Sequence, residues 1–418
     1  MGGNPIEPNL DLILNPKQSF TCPFKVGGDG KRFVLGRYSP TIDSIALVAN
    51  TDDFKFNNLI EDVFQTKNLL EKSIHFHEFL GHVNLTKRSS FWNTIFLFNI
   101  YTYFCFQRLM FIVENDLASE KKGRIRNDLR DLMTLEEILN LYHNMWRPLQ
   151  ETIANCCLLK IQSQIEDSEH KKIIDSLVWE TNSKDKTITN MTSDCNFIMK
   201  ELGYEQGWNL LNAMSLIASS PDGSYGQSPP KDNREIQRMK EYLFEKGCKL
   251  GEQDPYLKHP TGRFIELLTV VARNVDTAKK SLKRGMDPID FAISVGIMCG
   301  QKHELLSDQL EILTKQLKFI SEDNALIVDE GQRSFYRGTS KYMGIFKQII
   351  KKNYPTFWFV NDIKKERIYS SEHPILKENK CLWNYLHDNV LKYQFMASLR
   401  KGKEYLDCFD NKLLACTS

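Results

Sequence analysis

The run FWNTIFLFNIYTYFCFQRLMFIV, residues 91–113, constrains the fold of this chain more than any other stretch. So apolar and aromatic a segment must leave water, either into a bilayer, which takes about 20 such residues, or into a core that encloses a helix. Asn93, Asn99, Gln107 and Arg108 interrupt it, and the mean hydropathy of the whole chain is −0.40. Its longest clean part is about a dozen residues, the length of a buried core helix and too short for a span. We read it as a core helix and expect no membrane span. At 418 residues the chain is long enough for one large core or a few ordinary ones.

The sequence around this run is mostly helical in pattern. FNNLIEDVFQTKNLLEKSIHFHEFL places Leu59, Ile60, Val63, Phe64, Leu69, Leu70 and Ile74 close to the 3.6-residue period. LRDLMTLEEILNLYHNMW and LQETIANCCLLKIQSQIED continue it, with Pro148 expected to start or kink the second of them. Further helices are expected at 234–246, 262–283, 288–299, 303–320 and 382–402, with TFWFVNDI (356–363) as a strand. The first 55 residues differ. KRFVLGRY (31–38) and SIALVAN (44–50) are β-prone runs separated by Ser39-Pro40 and Asp43, as in a hairpin or small sheet. SSPDGSYGQSPPKDNRE (219–235) breaks every period and reads as a long loop or linker. The expectation is a mainly α-helical α+β protein. A β-rich element at 1–55 precedes a helical metal-site region at 56–218, the 219–235 loop and a mainly helical region at 236–418.

Composition narrows the partners. A formal charge of +2, with 41% hydrophobic and 26% charged residues, describes an ordinary globular protein with no field directed at nucleic acid. The ten cysteines form no CxxC pair, a spread that fits buried or free thiols in a reducing compartment. MGGNPIEPNL lacks the charged start and apolar core of a secretory signal, and Ile6 stands where a myristoylation signal takes Ser or Thr. The expected location is cytoplasmic.

Against this ordinary background IHFHEFLGHVNL, residues 74–85, stands out. Three of the chain's nine histidines and one glutamate fall within eight positions. The familiar zinc-peptidase pattern is HExxH, whose two histidines share one helix face. Here His77 and His82 are five apart. On a regular α-helix that spacing means about 140° of rotation and ~7.5 Å of rise, so the two imidazoles diverge. A metal site therefore requires an irregular turn, and Gly81 is where distortion is cheapest. A one-residue π-bulge would return His82 to the side of His77. Glu78 would then face the open coordination position and serve as general base toward metal-activated water. On a regular helix the alternative is a wet face, with Glu78 and His82 as an ordinary i,i+4 pair and His75 sharing the face of His82.

A zinc site needs at least a third protein ligand. WRPLQETIANCC (146–157) offers Glu151 on a helix among Leu149, Ile153, Ala154, Cys157 and Leu158, where an isolated carboxylate is costly unless paired or metal-bound. With both stretches in view, HEFLGH is similar to the HELLGH motif of the dipeptidyl peptidase III family of zinc exopeptidases. QETIAN (150–155) aligns without a gap with that family's second motif, EECRAE. The resemblance implies His77, His82 and Glu151 as ligands of one zinc ion per chain and Glu78 as the base that activates water. It departs at Gln150 and Asn155, neutral amides where the family has glutamates. Both can hydrogen-bond a histidine ligand but make it less basic. The resemblance covers about a dozen residues of the chain.

The expected activity is hydrolysis of a peptide or amide bond in a peptide or protein substrate by a zinc metallopeptidase. The alternative is a non-catalytic helical interaction protein with a structural or vestigial metal site. His143 and Arg147 lie at four-residue steps before Glu151, open to a surface ion-pairing or a substrate-carboxylate role. His170, His303, His373 and His387 stand in charged or polar contexts and read as surface, and His259 as a loop residue. The six tryptophans read as core or rim residues.

Overall fold

The computed structural model describes residues 27–28, 33–34, 36–39, 44–48, 68–89, 95, 99, 102–103, 106, 132, 143, 146–180, 185–219, 260–300 and 356–360. These residues are predominantly helical. The expected loop at 219–235 (beyond Ser219) and the helices expected at 234–246, 303–320 and 382–402 lie outside them, as do His259, His303, His373 and His387.

Strands β1 (Gly27–Gly28) and β2 (Phe33–Val34) form a two-stranded antiparallel pair. β3 (Gly36–Ser39) pairs antiparallel with β4 (Ser44–Val48), Gly36 opposite Leu47 and Ser39 opposite Ser44. β4 pairs in parallel with β5 (Thr356–Val360), which arrives from the far end of the sequence. Ile45 and Leu47, two residues apart and so on one face of β4, are fully buried.

The first described helix, α1, is continuous through Leu69–His75, Phe76–Val83 and Asn84–Arg88, and its middle portion is a π-helix. Asn68 caps it, its side-chain oxygen accepting from the amides of Leu70 and Glu71. α2 is helical over 146–164. Residues 143, 146 and 147 are helical too, so Pro148 lies inside the helical run and does not begin it.

The remaining helices are α3 (Ser168–Asp175, with a π-helical extension Ser176–Glu180), α4 (Lys186–Leu202), α5 (Tyr204–Ala218), α6 (Pro260–Arg273), α7 (Val275–Lys283) and α8 (Pro288–Met298). The helix expected over 262–283 is two helices, divided at Asn274. Asp167, Asp185 and Asp287 cap α3, α4 and α8 with their carboxylates.

α5 packs against α4, α6 and α8, and one hydrophobic cluster runs from Leu85 through α2–α8 to Val295. Ile95, Asn99, Thr102, Tyr103 and Phe106 are buried helical residues at steps of four, three, one and three, one face of a helix turned to protein. Among the described residues no helix is long and apolar enough to cross a membrane. Trp146 and Trp208 are buried, and Cys156, Cys157, Cys195 and Cys299 are free thiols.

Candidate metal centre

The eight residues Phe76–Val83, FHEFLGHV, are π-helical throughout, a longer irregularity than a single bulge. Hydrogen bonding from i to i+5 widens the helix, so residues five apart fall much nearer one face than they do on an α-helix. His77 and His82 therefore return to the same side, their ring centroids 4.8 Å apart and their planes at 82°. His75 goes elsewhere; it is fully buried and does not join them.

Gly81 contributes by its size. A Cβ placed on it would lie 2.5 Å from the Cα and 2.6 Å from the Cβ of Ala154. The π segment of α1 thus presses its backbone onto α2 at Ala154, one turn from Glu151. This contact, and not backbone freedom alone, is why glycine stands there. It was hidden from the sequence because the partner lies 73 positions away.

Glu151 meets both histidines. Its Oε2 lies 3.4 Å from His77 Nε2 and 3.7 Å from His82 Nε2, and the two Nε2 atoms are 3.2 Å apart. Three zinc ligands bonded at ~2.0–2.1 Å in tetrahedral geometry stand about 3.3 Å from one another. The observed triangle therefore has the size of one face of a zinc coordination tetrahedron. Two imidazole nitrogens and a carboxylate oxygen are also a common donor set for that ion. On size and chemistry the residues fit the metal. Among the described residues these three are the group able to hold one.

Protonation follows from this closeness. Burial and the positive neighbours His77, His143 and Arg147 bring His82 down to about 4, against the pull of Glu151. Burial also opposes charge on His77, but the hydrogen bond and charge of Glu151, with the charge of Glu78, hold its proton affinity above the ordinary value. For Glu151 burial would raise the pKa, yet His82, His77 and Arg147 together bring it down to about 2. Near neutrality the carboxylate is ionised and His82 has a free nitrogen, as metal binding demands.

Glu78 lies outside the ligand triangle and is mostly buried. β3 runs alongside it. A Cβ on Gly36 would sit 2.8 Å from Glu78 Cγ and 3.1 Å from its Oε1, so the absence of a side chain at Gly36 makes room for the carboxylate. Gly36 is a site residue the sequence did not reveal. Gln150 and Asn155 are spent away from the histidines. The Gln150 amide donates to Thr86 Oγ1 at 2.9 Å and that of Asn155 to Thr192 Oγ1 at 3.4 Å, tying α2 to α1 and α4. The Asn155 Oδ1 is buried without a hydrogen-bond partner.

Arg147 Nε lies 3.9 Å from Glu151 Oε1 at the exposed side of the site. His170, which reads as surface from its charged neighbours, is buried. Its Nε2 is 2.9 Å from Ser73 Oγ, which itself donates to the Leu69 carbonyl at 2.8 Å, so His170 donates and Ser73 accepts. This contact packs α3 against the first turns of α1 and steadies the helix that carries the site. No protein-family model matches the chain, and no match is found among curated proteins or solved structures.

Proposed function

We propose that this protein is a zinc-dependent hydrolase, a metallopeptidase that cleaves a peptide or amide bond. The observation that carries the reading is the triangle of His77 Nε2, His82 Nε2 and Glu151 Oε2, sized for one zinc ion, with a separate carboxylate beside it. Structural zinc sites close with four protein ligands, whereas three leave a position for substrate or water. Among the described residues the group has three donors, which favours a catalytic over a structural role.

When bound, zinc lowers the pKa of a water molecule and polarises the substrate carbonyl. The chain's own residues do the rest. His77, His82 and Glu151 hold the ion, and the ionised Glu151 offsets part of its charge. Glu78 accepts the proton released as water adds to the carbonyl carbon and delivers it to the departing nitrogen, so the C–N bond breaks as the acid and amine separate. Its burial between α1 and β3 keeps the carboxylate in one place, which proton transfer at fixed distance requires.

The test is cleavage of a mixed peptide pool by zinc-loaded protein, read by mass spectrometry. Wild type is expected to release fragments. Glu78→Gln, with zinc content unchanged, is expected to lose at least about a hundredfold in rate, the usual contribution of a general base. A Glu78→Gln variant as active as wild type would overturn the assignment.

A further inference from the structure

Among the described residues, Arg147 is a basic side chain that lies against the site and stands open to solvent. It stands one turn before Glu151 on α2, with half-buried His143 a further turn back, so the three share one helix face. Its side chain is 55% exposed, and its Nε lies 3.9 Å from Glu151 Oε1. That distance orients the guanidinium by charge but is too long for a hydrogen bond. Among the described residues this is its one polar contact. Five N–H donors in a planar fork, aimed at the ligand carboxylate and not consumed by it, are a standing offer to a second carboxylate.

The charge count favours the same ligand. Two neutral histidines, Glu151, Glu78 and a divalent ion sum to zero, so Arg147 leaves the mouth of the site with one positive charge. Both Arg147 and His143 already act on His82 through their charge, which places them within electrostatic reach of the metal position.

We infer that Arg147, with His143 beside it, forms a carboxylate-binding subsite next to the metal, and that the substrate carries a free carboxylate close to the bond that is cut. This inference rests on the zinc-hydrolase reading of His77, His82 and Glu151. The carboxylate belongs either to a carboxy-terminal residue or to an acidic side chain, and the chemistry Arg147 recognises is the same in both.

The experiment is calorimetric titration of the zinc-loaded protein with succinate and with succinamate, which differ only in having an amide in place of one carboxylate. Zinc content is measured on every sample first. Wild type is expected to bind succinate at least about tenfold more tightly, the difference that one charge-assisted contact supplies. Arg147→Gln is expected to bind the two alike while keeping its zinc, and Arg147→Lys to retain part of the preference. Equal binding by wild type, or an unchanged preference in Arg147→Gln, overturns the subsite while leaving the zinc site standing. A role confined to orienting Glu151 gives that second result. A wild-type chain that takes up no zinc overturns the hydrolase reading and this inference together, and the metal assay reports that before any titration. Two competitor peptides, one amidated at its carboxy terminus and one with its acidic side chains as amides, identify the source of the carboxylate. If neither is weakened relative to its parent, the subsite is again overturned.

Discussion

Glu151 shapes the protonation of the site because its charge reaches both histidines in a partly buried place. Its effect on the two differs. Burial lowers both; the hydrogen bond and charge of Glu151 hold His77 above the ordinary histidine value all the same, whereas burial, joined by the positive neighbours, brings His82 down to about 4. In metal-free protein the unfolded chain therefore binds a proton at His82 between about 6.5 and 4 that the folded chain refuses, and stability drops as pH falls through that window. His77, with a raised value, has the opposite sign, its contribution being present below its unfolded pKa and lost as pH rises through its folded one. Urea denaturation with chelator present is expected to show a lower midpoint at pH 4.5 than at pH 6.5, and His82→Gln to flatten that dependence. A slope unchanged by His82→Gln would assign it elsewhere. Gly36→Ala tests the neighbouring carboxylate. The added methyl group meets Ile74 Cγ2 at 2.7 Å and Glu78 Cγ at 2.8 Å, so Glu78 must move while all three ligands stay. The expected result is a kcat lower by about a hundredfold with unchanged zinc content and little change in KM; an unchanged kcat would free Glu78 from the role. The grouping of His77, His82 and Glu151 was legible in the sequence because a carboxylate set among apolar residues calls for a partner. Gly36 and His170 were not, since each matters through a partner remote in the chain, Glu78 for one and Ser73 for the other.

Helix α1 shows how far a spacing rule reaches. A separation of five positions between His77 and His82 rules out a shared ion on a regular α-helix, and the helix is π-wound over all of Phe76–Val83. The spacing called for irregularity but did not fix its extent, because that depends on what packs against it. The packing partner is α2, whose Ala154 lies against Gly81 with no room for a methyl group between them. Two small residues let the helices approach closely enough for Glu151 to reach the imidazoles. Gly81→Ala is thus expected to destabilise the fold by about 1–3 kcal/mol through overpacking. It should also weaken zinc binding by forcing α1 and α2 apart, while leaving His77, His82 and Glu151 chemically intact. Urea denaturation and zinc competition with a chromophoric chelator measure the two effects. A variant with wild-type stability and zinc affinity would show that the close approach is dispensable. Pro148 teaches a related lesson. It does not start its helix, since Trp146 and Arg147 before it are already helical, and Trp146 and Leu149 on either side of it are buried.

On the scale of the whole molecule, the candidate metal site joins two helices 69 residues apart in sequence between His82 and Glu151, with the buried helical residues Ile95, Asn99, Thr102, Tyr103 and Phe106 between them in the chain. An ion held by both helices binds the folded chain and not the unfolded one. It would add about 4 kcal/mol of stability when free zinc stands a thousandfold above its dissociation constant. The mainly helical character was legible from hydrophobic period, since each helix buries one stripe against the α5-centred cluster. The parallel pairing of β4 with β5 was not, because nothing local in either strand names a partner some 300 positions away. Whether His77, His82 and Glu151 hold an ion is decided by zinc content per chain from elemental analysis, on protein purified without a metal-affinity tag, for wild type, His82→Ala and Glu151→Ala. About one zinc per wild-type chain is expected, with a sharp loss in both variants, since two remaining ligands cannot hold the ion. A wild-type chain that carries none, even after incubation with excess zinc, would contradict that expectation.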